Sequence, residues 1–393
     1  MRDLRQQVEE LSELGLRRRL RVVESPQGDH VILDGHSVLL LCSNDYLGLA
    51  AHPQVREAAA EAALRWGAGA GASRLVSGSM TIHAEFERSL AAFKGTESAL
   101  LLGSGYLANL GVVSALAGRG EVVFSDALNH ASIVDGCRLS RAETFVFRHG
   151  DLDHLEWGLR RAGHRAALIV TDGVFSMDGD IAPLAGLSAL ARRHGVRLVV
   201  DDAHGTGTLG PGGRGSVAAA GLEGEIDVIV GTLGKALGSY GAFVACDAVA
   251  ADFLVNTMRP LIFSTALPPS AVAAAGAALE LLEAEPERVA RLQGNAKLLR
   301  RELAARGAAV AGSGTHIIPL LVGDADATMR ACEQALEAGC FAQGIRPPTV
   351  PSGTSRLRLT VMATHSPGEL TSAAGVLAAA VARRPVTADA GTA

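Results

Sequence analysis

Two adjacent aspartates, Asp201 and Asp202, close an apolar run in the segment VVDDAHGTG. Carboxylates at the end of a buried strand are costly unless something cationic receives one of them. The protonated nitrogen of a heterocycle is such a recipient. A carboxylate beside it keeps the nitrogen charged, which makes the ring a sink for electrons released at an attached carbon. His204, three residues on, could hydrogen-bond an oxygen on the same ring. A metal site built from Asp and His at this spacing lacks a third ligand nearby in the sequence. Lys235 lies between glycines in GTLGKALG, just beyond another apolar run, where a long amine could turn into a cleft. Its plain alternative is a solvated lysine at a helix start, and reactivity would need burial or a cofactor to lower its pKa.

Other segments offer supporting chemistry. In FSDALNHAS, His130 falls after a strand end and before a helix, a place from which an imidazole can stack on a planar ring. LLGSGYLANLG sets Gly103 and Gly105 between a strand and a helix, so bare amides and a helix dipole can meet a phosphate. It is not a full dinucleotide fingerprint, because Ala108 stands where the third glycine would fall, and this weakens a nicotinamide reading. Ser176 in DGVFSMDGD and Thr232 place hydroxyls at two more strand ends, where ordinary turn chemistry is the alternative. Arg356 and Arg358 in TSRLRLT alternate along a strand and share a face, so either could fork onto a carboxylate.

These residues need a scaffold, and the spacing supplies one. From about residue 53 to 250, helical patterns alternate with apolar runs at 99–102, 122–124, 167–170, 198–200 and 228–230. Such runs read as strands of a mainly parallel sheet buried on both faces. Their polar tails then collect at the carboxyl edge, where open α/β sheets bind ligands. Before them, an N-terminal helix is expected from Leu4, Val8, Leu11 and Leu14, then an arm and a hairpin turning at Asp34 to His36. Three blocks follow: residues 1–50 as helix and arm, 51–262 as a large domain, and 263–393 as a smaller C-terminal α+β domain. In the last block helices are expected at 270–284, 287–306, 326–339 and 367–383, strands at 316–322 and 356–361, and a loose tail ARRPVTADAGTA.

Bulk properties narrow the class. The 393 residues are 48% hydrophobic and 20% charged, a balance suited to a compact α/β enzyme. A formal net charge of -5 gives no global positive field for nucleic acid or anionic lipid. The five cysteines contain no C-x-x-C pair and the first ten residues carry charge instead of an apolar leader, so a cytoplasmic protein with no membrane span is expected.

SNDYLGL, ASRLVSGSMTIHAEFE, GSGYLAN, NHAS, TDGVFSMDGD, VVDDAHGTG, TLGKALG, IFSTALPP and RPPTVPSGTSRLRLT together resemble, in order, the α-oxoamine synthases. The likeness spans about residues 15 to 375. It implies a fold-type-I pyridoxal-phosphate-dependent transferase: a large domain with a mainly parallel seven-stranded sheet, a smaller C-terminal α+β domain, and a homodimer with shared active sites. Lys235 would carry pyridoxal 5'-phosphate as a Schiff base, Asp201 would bind its ring nitrogen, His204 its ring oxygen, and His130 would stack over it. Gly105, Tyr106, Ser176 and Thr232 would surround the cofactor, with Ser264 and Thr265 reaching in from the partner chain. Arg17, Asn44, His130, Thr349 and Arg358 would contact substrate, with Arg356 near enough to contest the carboxylate. Tyr106 replaces the Phe of some relatives, a mild departure. Within the family, the RPPTVPSGTSRLRLT stretch points to members that condense L-alanine with a pimeloyl thioester. Sibling chemistries, glycine with an acetyl thioester or serine with a long acyl chain, are the nearest alternatives.

Overall fold

The structure is a computed structural model that describes residues 3–14, 16–312 and 314–382; the expected loose tail falls at 383–393, outside the described residues apart from Ala382. Its centre is a sheet of seven strands: β3 Ser98–Leu102, β4 Val122–Asp126, β5 Glu143–Phe147, β6 Ala166–Asp172, β7 Arg197–Asp201, β8 Val228–Thr232 and β9 Ala242–Cys246. They lie in the order β3-β9-β8-β7-β6-β4-β5, and β9 alone runs antiparallel to its neighbours. The five expected apolar runs are β3, β4, β6, β7 and β8. The sequence reading did not locate β5, whose outer residues are exposed at the sheet edge, or β9, which follows a glycine-rich loop.

Alternation along these strands divides the interior into two cores. Leu198 and Val200 of β7 join one, with Leu90 and Phe93 of the helix Thr81–Lys94. Val199 joins the other, with Ala108 and Val112 of the helix Gly105–Leu116. Successive side chains of a strand face opposite sides, so the sheet is buried on both faces. Because β3, β4, β6, β7 and β8 point the same way, their carboxyl ends share one edge.

The N-terminal hairpin pairs β1 His30–Leu33 with β2 His36–Leu40 through a turn in which Asp34 and Gly35 both have positive φ, 51° and 76°. That is the backbone an Asp-Gly hairpin turn demands. Two further three-stranded sheets use β10 Ile317–Gly323, β11 Cys340–Phe341, β12 Gln343–Ile345 and β13 Ser355–Thr360. In one, β13 lies between β10 and β12, antiparallel to both. In the other, β11 pairs in parallel with β2, which sews the start of the chain to its last quarter. The helices Pro269–Ala284, Glu287–Ala305, Ala325–Glu337 and Pro367–Val381 stand close to the expected spans. The expected N-terminal helix spans Leu4–Glu13 and buries none of its residues: Leu4, Val8 and Leu11, like Leu14 beyond its end, are exposed.

Candidate active site

The polar strand tails converge at the carboxyl edge. Lys235 sits in the loop between β8 and β9, closed by bonds from Leu233 N to Gly241 O (2.9 Å) and from Gly238 N to Lys235 O (2.9 Å). Gly238 has φ +57°, and a Cβ there would stand 2.4 Å from the Ala50 amide nitrogen, so only glycine lets this loop approach the 45–50 turn. The lysine Nζ lies 2.8 Å from His204 Nε2, and His204 Nδ1 lies 2.6 Å from the Tyr46 hydroxyl. Burial pushes the Lys235 amine down to about 8, partly opposed by the Asp201 carboxylate. Burial, then the nearby Lys235 and Arg358 charges, hold His204 well below the usual imidazole range, so it is neutral.

The two adjacent aspartates part company. Asp201 follows Val199 to the face of the helix Gly105–Leu116, where Asn109 Nδ2 donates to its Oδ2 at 2.6 Å and the Ala203 amide to its Oδ1 at 3.0 Å. Asn109 Nδ2 also donates to Ser132 Oγ, and Ser132 Oγ lies 2.7 Å from His130 Nδ1. Asp202 turns to the opposite face and meets a cation the sequence reading did not foresee. Lys94 Nζ lies 2.8 Å from its Oδ2, and the side chains of the pair are 1% and 0% exposed. Ser216 N and Thr206 Oγ1 donate to the same carboxylate, at 2.9 and 3.0 Å. A Cβ on Gly215, whose φ is +109°, would fall 1.7 Å from Asp202 Oδ2, so this enclosure also requires a glycine.

His130 caps the helix Ala131–Ser140 and is exposed toward the cleft, while its amide donates to Asp172 Oδ2 at 2.8 Å. Burial lowers its imidazole pKa, with the Asp201 charge opposing. Asp172 is held well above the carboxylate range by burial and then by the like charge of Asp201. Gly105 opens its helix after Ser104, whose side chain accepts from Leu107 N. The amides of Gly105 and Tyr106, in the first turn, have no partner within that helix. A Cβ on Gly105 would stand 4.0 Å from Thr232 Cβ, and Tyr106 meets the His130 ring edge-on with centroids 6.4 Å apart.

The loop after β6 is braced from three sides. Asp178 pairs with Arg356, the Ser176 carbonyl accepts from Arg358 Nε, and Asp180 Oδ2 lies 2.8 Å from His149 Nε2. The other His149 nitrogen lies 2.9 Å from Asp126, and these two carboxylates raise its pKa to about 10. Arg356 is therefore committed to Asp178, whereas Arg358 keeps a terminal nitrogen 3.5 Å from Asn44 Oδ1, beside Tyr46.

Arg17 and Thr349 lie elsewhere, in the wall of a cavity of about 1010 Å³ shared with Arg18, Arg19, Arg21 and Cys332. Cys42 lies between the two regions, within the fields of both Arg358 and Cys332. Thr265 bridges to Ser73, and among the described residues no hydrogen bond links Ser264 or Thr265 to the Lys235 cluster. Among the described residues, no group of three or more His, Cys, Asp or Glu side chains is placed to hold a metal ion. The sequence reading missed Tyr46, Asn109, Ser132, Asp172 and Lys94 as participants. Four of these lie inside segments it had singled out, and a buried asparagine in the apolar turn ANLGVV was the available signal for Asn109.

A profile of the class I and II aminotransferases matches residues 36–377. An 8-amino-7-oxononanoate synthase from Citrifermentans bemidjiense is 54% identical over 380 residues, covering 96% of this chain and 97% of the relative. A serine palmitoyltransferase structure from S. paucimobilis, with PLP and myriocin bound, is 36% identical with a TM-score of 0.91 and covers 96% of each chain. The structure of a Francisella tularensis 8-amino-7-oxononanoate synthase is 28% identical with a TM-score of 0.76, covering 88% of this chain and 98% of that one.

Proposed function

The chain belongs to the class I and II aminotransferase family, and we propose that it joins L-alanine to a pimeloyl thioester with loss of carbon dioxide. The product is 8-amino-7-oxononanoate, a precursor in biotin biosynthesis. The identity of 54% over nearly the whole length, to an enzyme named for that product, carries this reading.

The cofactor is pyridoxal 5'-phosphate, and the residues present suit it. Asp201 is a buried carboxylate that, among the described residues, is hydrogen-bonded by two neutral donors and by no cation, with Lys235 acting on it only through its field, an arrangement that suits a protonated ring nitrogen. The first-turn amides after Ser104, with Thr232 close by, suit a phosphate. His130 presents its ring to the cleft, and Lys235 is the point of covalent attachment. When bound, the cofactor supplies an electron sink for the pair freed at the amino acid Cα.

The chain's own groups do the rest. Arg358, aided by Asn44, anchors the amino acid carboxylate with the donors that Ser176 leaves free. Lys235, with a pKa of about 8, is neutral often enough near pH 7 to take the Cα proton and basic enough to hold it. Asp201 keeps the ring nitrogen protonated, and Asn109 keeps Asp201 aimed. Arg17 and Thr349 receive the acyl thioester in the arginine-lined cavity.

Action in the cytoplasm as a homodimer belongs to the same proposal. Its support is that Leu75, Val76 and Phe263 are exposed next to the Ser73–Thr265 bridge, and that, among the described residues, no helix is long and apolar enough to cross a membrane. Ser264 and Thr265 would then serve the partner's site.

A second reading, serine with a long acyl thioester, is favoured by the TM-score of 0.91 to serine palmitoyltransferase, but its 36% identity ranks below 54%. Purified, cofactor-loaded protein given alanine, glycine or serine with pimeloyl or palmitoyl thioesters decides between them. Carbon dioxide release only from alanine with the pimeloyl thioester is expected. Release from serine with the palmitoyl thioester, or none from alanine, overturns the proposal.

A further inference from the structure

We propose that Tyr46 is a positioning residue: its hydroxyl fixes the tautomer of His204 and thereby directs the Lys235 amine. The inference rests on the reading of Lys235, His204 and Arg358 given above, and it adds a residue that reading does not use.

The Tyr46 hydroxyl stands 3.0 Å from Asn44 Oδ1 and 2.6 Å from His204 Nδ1, the Arg358 guanidinium donates to its oxygen as well, and it has a single hydrogen to give. Asn44 Oδ1 also faces Arg358 Nη1 at 3.5 Å, and a guanidinium only donates. The amide atom facing both groups is therefore the carbonyl oxygen, which can only accept. The phenolic hydrogen goes to Asn44, so the phenolic oxygen must accept from His204 Nδ1–H. A neutral imidazole with hydrogen on Nδ1 has a bare Nε2, the atom 2.8 Å from Lys235 Nζ. The lysine amine thus donates to His204, which fixes where the amine points.

The Tyr46 ring is built to hold this hydroxyl still. The residue is 0% exposed, its carbonyl accepts from Ala363 N at 2.8 Å, and its ring packs on His316 with centroids 4.0 Å apart. His316 has no hydrogen-bond partner on either ring nitrogen among the described residues, and burial keeps it neutral. It acts as a wall against Tyr46. The result is a chain of contacts running from the carboxylate anchor through Asn44, Tyr46 and His204 to Lys235.

The test uses the full-length chain stripped of cofactor, so turnover plays no part in it. Long-range proton–nitrogen correlation spectra of histidine-labelled protein report which His204 nitrogen carries hydrogen, with a His204→Gln sample to assign the signals. Wild type is expected to show a protonated Nδ1 and a bare Nε2. Tyr46→Phe removes the acceptor for Nδ1–H, and Asn44→Leu frees the phenol to donate to Nδ1; both are expected to move the hydrogen to Nε2. The second readout is the pH dependence of Lys235 labelling by an amine-reactive reagent, followed by mass spectrometry. With Nε2 no longer accepting, the midpoint should fall by about one pH unit in both variants, the effect of losing one hydrogen bond to a charged donor. Tyr240→Phe, at an exposed tyrosine, should change neither. Protonated Nε2 in wild type, or spectra and labelling unaltered in both variants, overturns the proposal. Should Tyr46→Phe fail to fold, Asn44→Leu carries the same expectation alone. A protein that fails the thioester test can still pass this one, so the two readings fail separately.

Discussion

Asp201 and Asp202 are adjacent in the chain, similarly buried, and opposite in circumstance. Asp202 is closed in by a lysine, a serine, a threonine and a backbone amide. Among the described residues, Asp201 accepts hydrogen bonds from neutral donors alone. The difference comes from strand geometry, since neighbours on an extended chain face opposite sides of the sheet. On one side lies Lys94, at the end of the helix Thr81–Lys94; on the other lies Asn109. An acidic group satisfied within the fold is a structural element, whereas one without a hydrogen-bonded counter-charge is held ready for a cation from outside.

Substitutions can break that contrast. The largest effect should come from Lys94→Met, which strands Asp202 as a buried, unpaired charge and should cost about 3–5 kcal/mol in urea unfolding of the cofactor-free protein. Adding Asp202→Leu should recover part of the loss; a single variant as stable as wild type would mean that the pair is not what encloses the carboxylate.

Asp201→Asn should invert the pattern, sparing stability while lowering turnover by about 10²–10³-fold, the usual range when a preorganised electrostatic partner is removed. Steady-state kinetics beside urea melts check both halves, and a large stability loss with intact turnover would reverse the roles assigned to the two aspartates.

The smallest effect sharpens the comparison by adding a third charged group. His149 is lifted to about 10 by Asp126 and Asp180, so its stabilising contribution is full below the unfolded value of 6.5 and is lost as pH rises through about 10. His149→Gln should remove that alkaline slope from the stability profile of the cofactor-free protein. A slope that persists in the variant assigns it to other groups.

Much of this layout was legible in the sequence. Apolar runs ending in polar pairs marked five strands and the edge on which they end, because burial on both faces leaves little else for such runs to be. Strand direction leaves no such mark, so AFVAC of β9 did not reveal that it runs against its neighbours. The half-exposed ETFVF of β5 and the two-residue β11 are too short or too mixed to stand out. For the candidate site, Lys235, His204 and His130 stood out through their glycine and strand context. Lys94 was not, because it pairs with Asp202 across 108 positions and sits at a helix end like any surface lysine. Tyr46 was hidden for a related reason: its chemistry depends on a histidine 158 positions away.

The pairing of β2 with β11 has a consequence for how the molecule is made. A ribosome delivers Asn44 early and Arg358 late, yet both must stand beside the same phenol. The nascent chain can fold its central sheet while translation continues, but β2, paired with β1 on one side, lacks its second neighbour until residues 340–341 have emerged. Fragments released prematurely would therefore expose that unpaired edge, a ready target for chaperones and proteases.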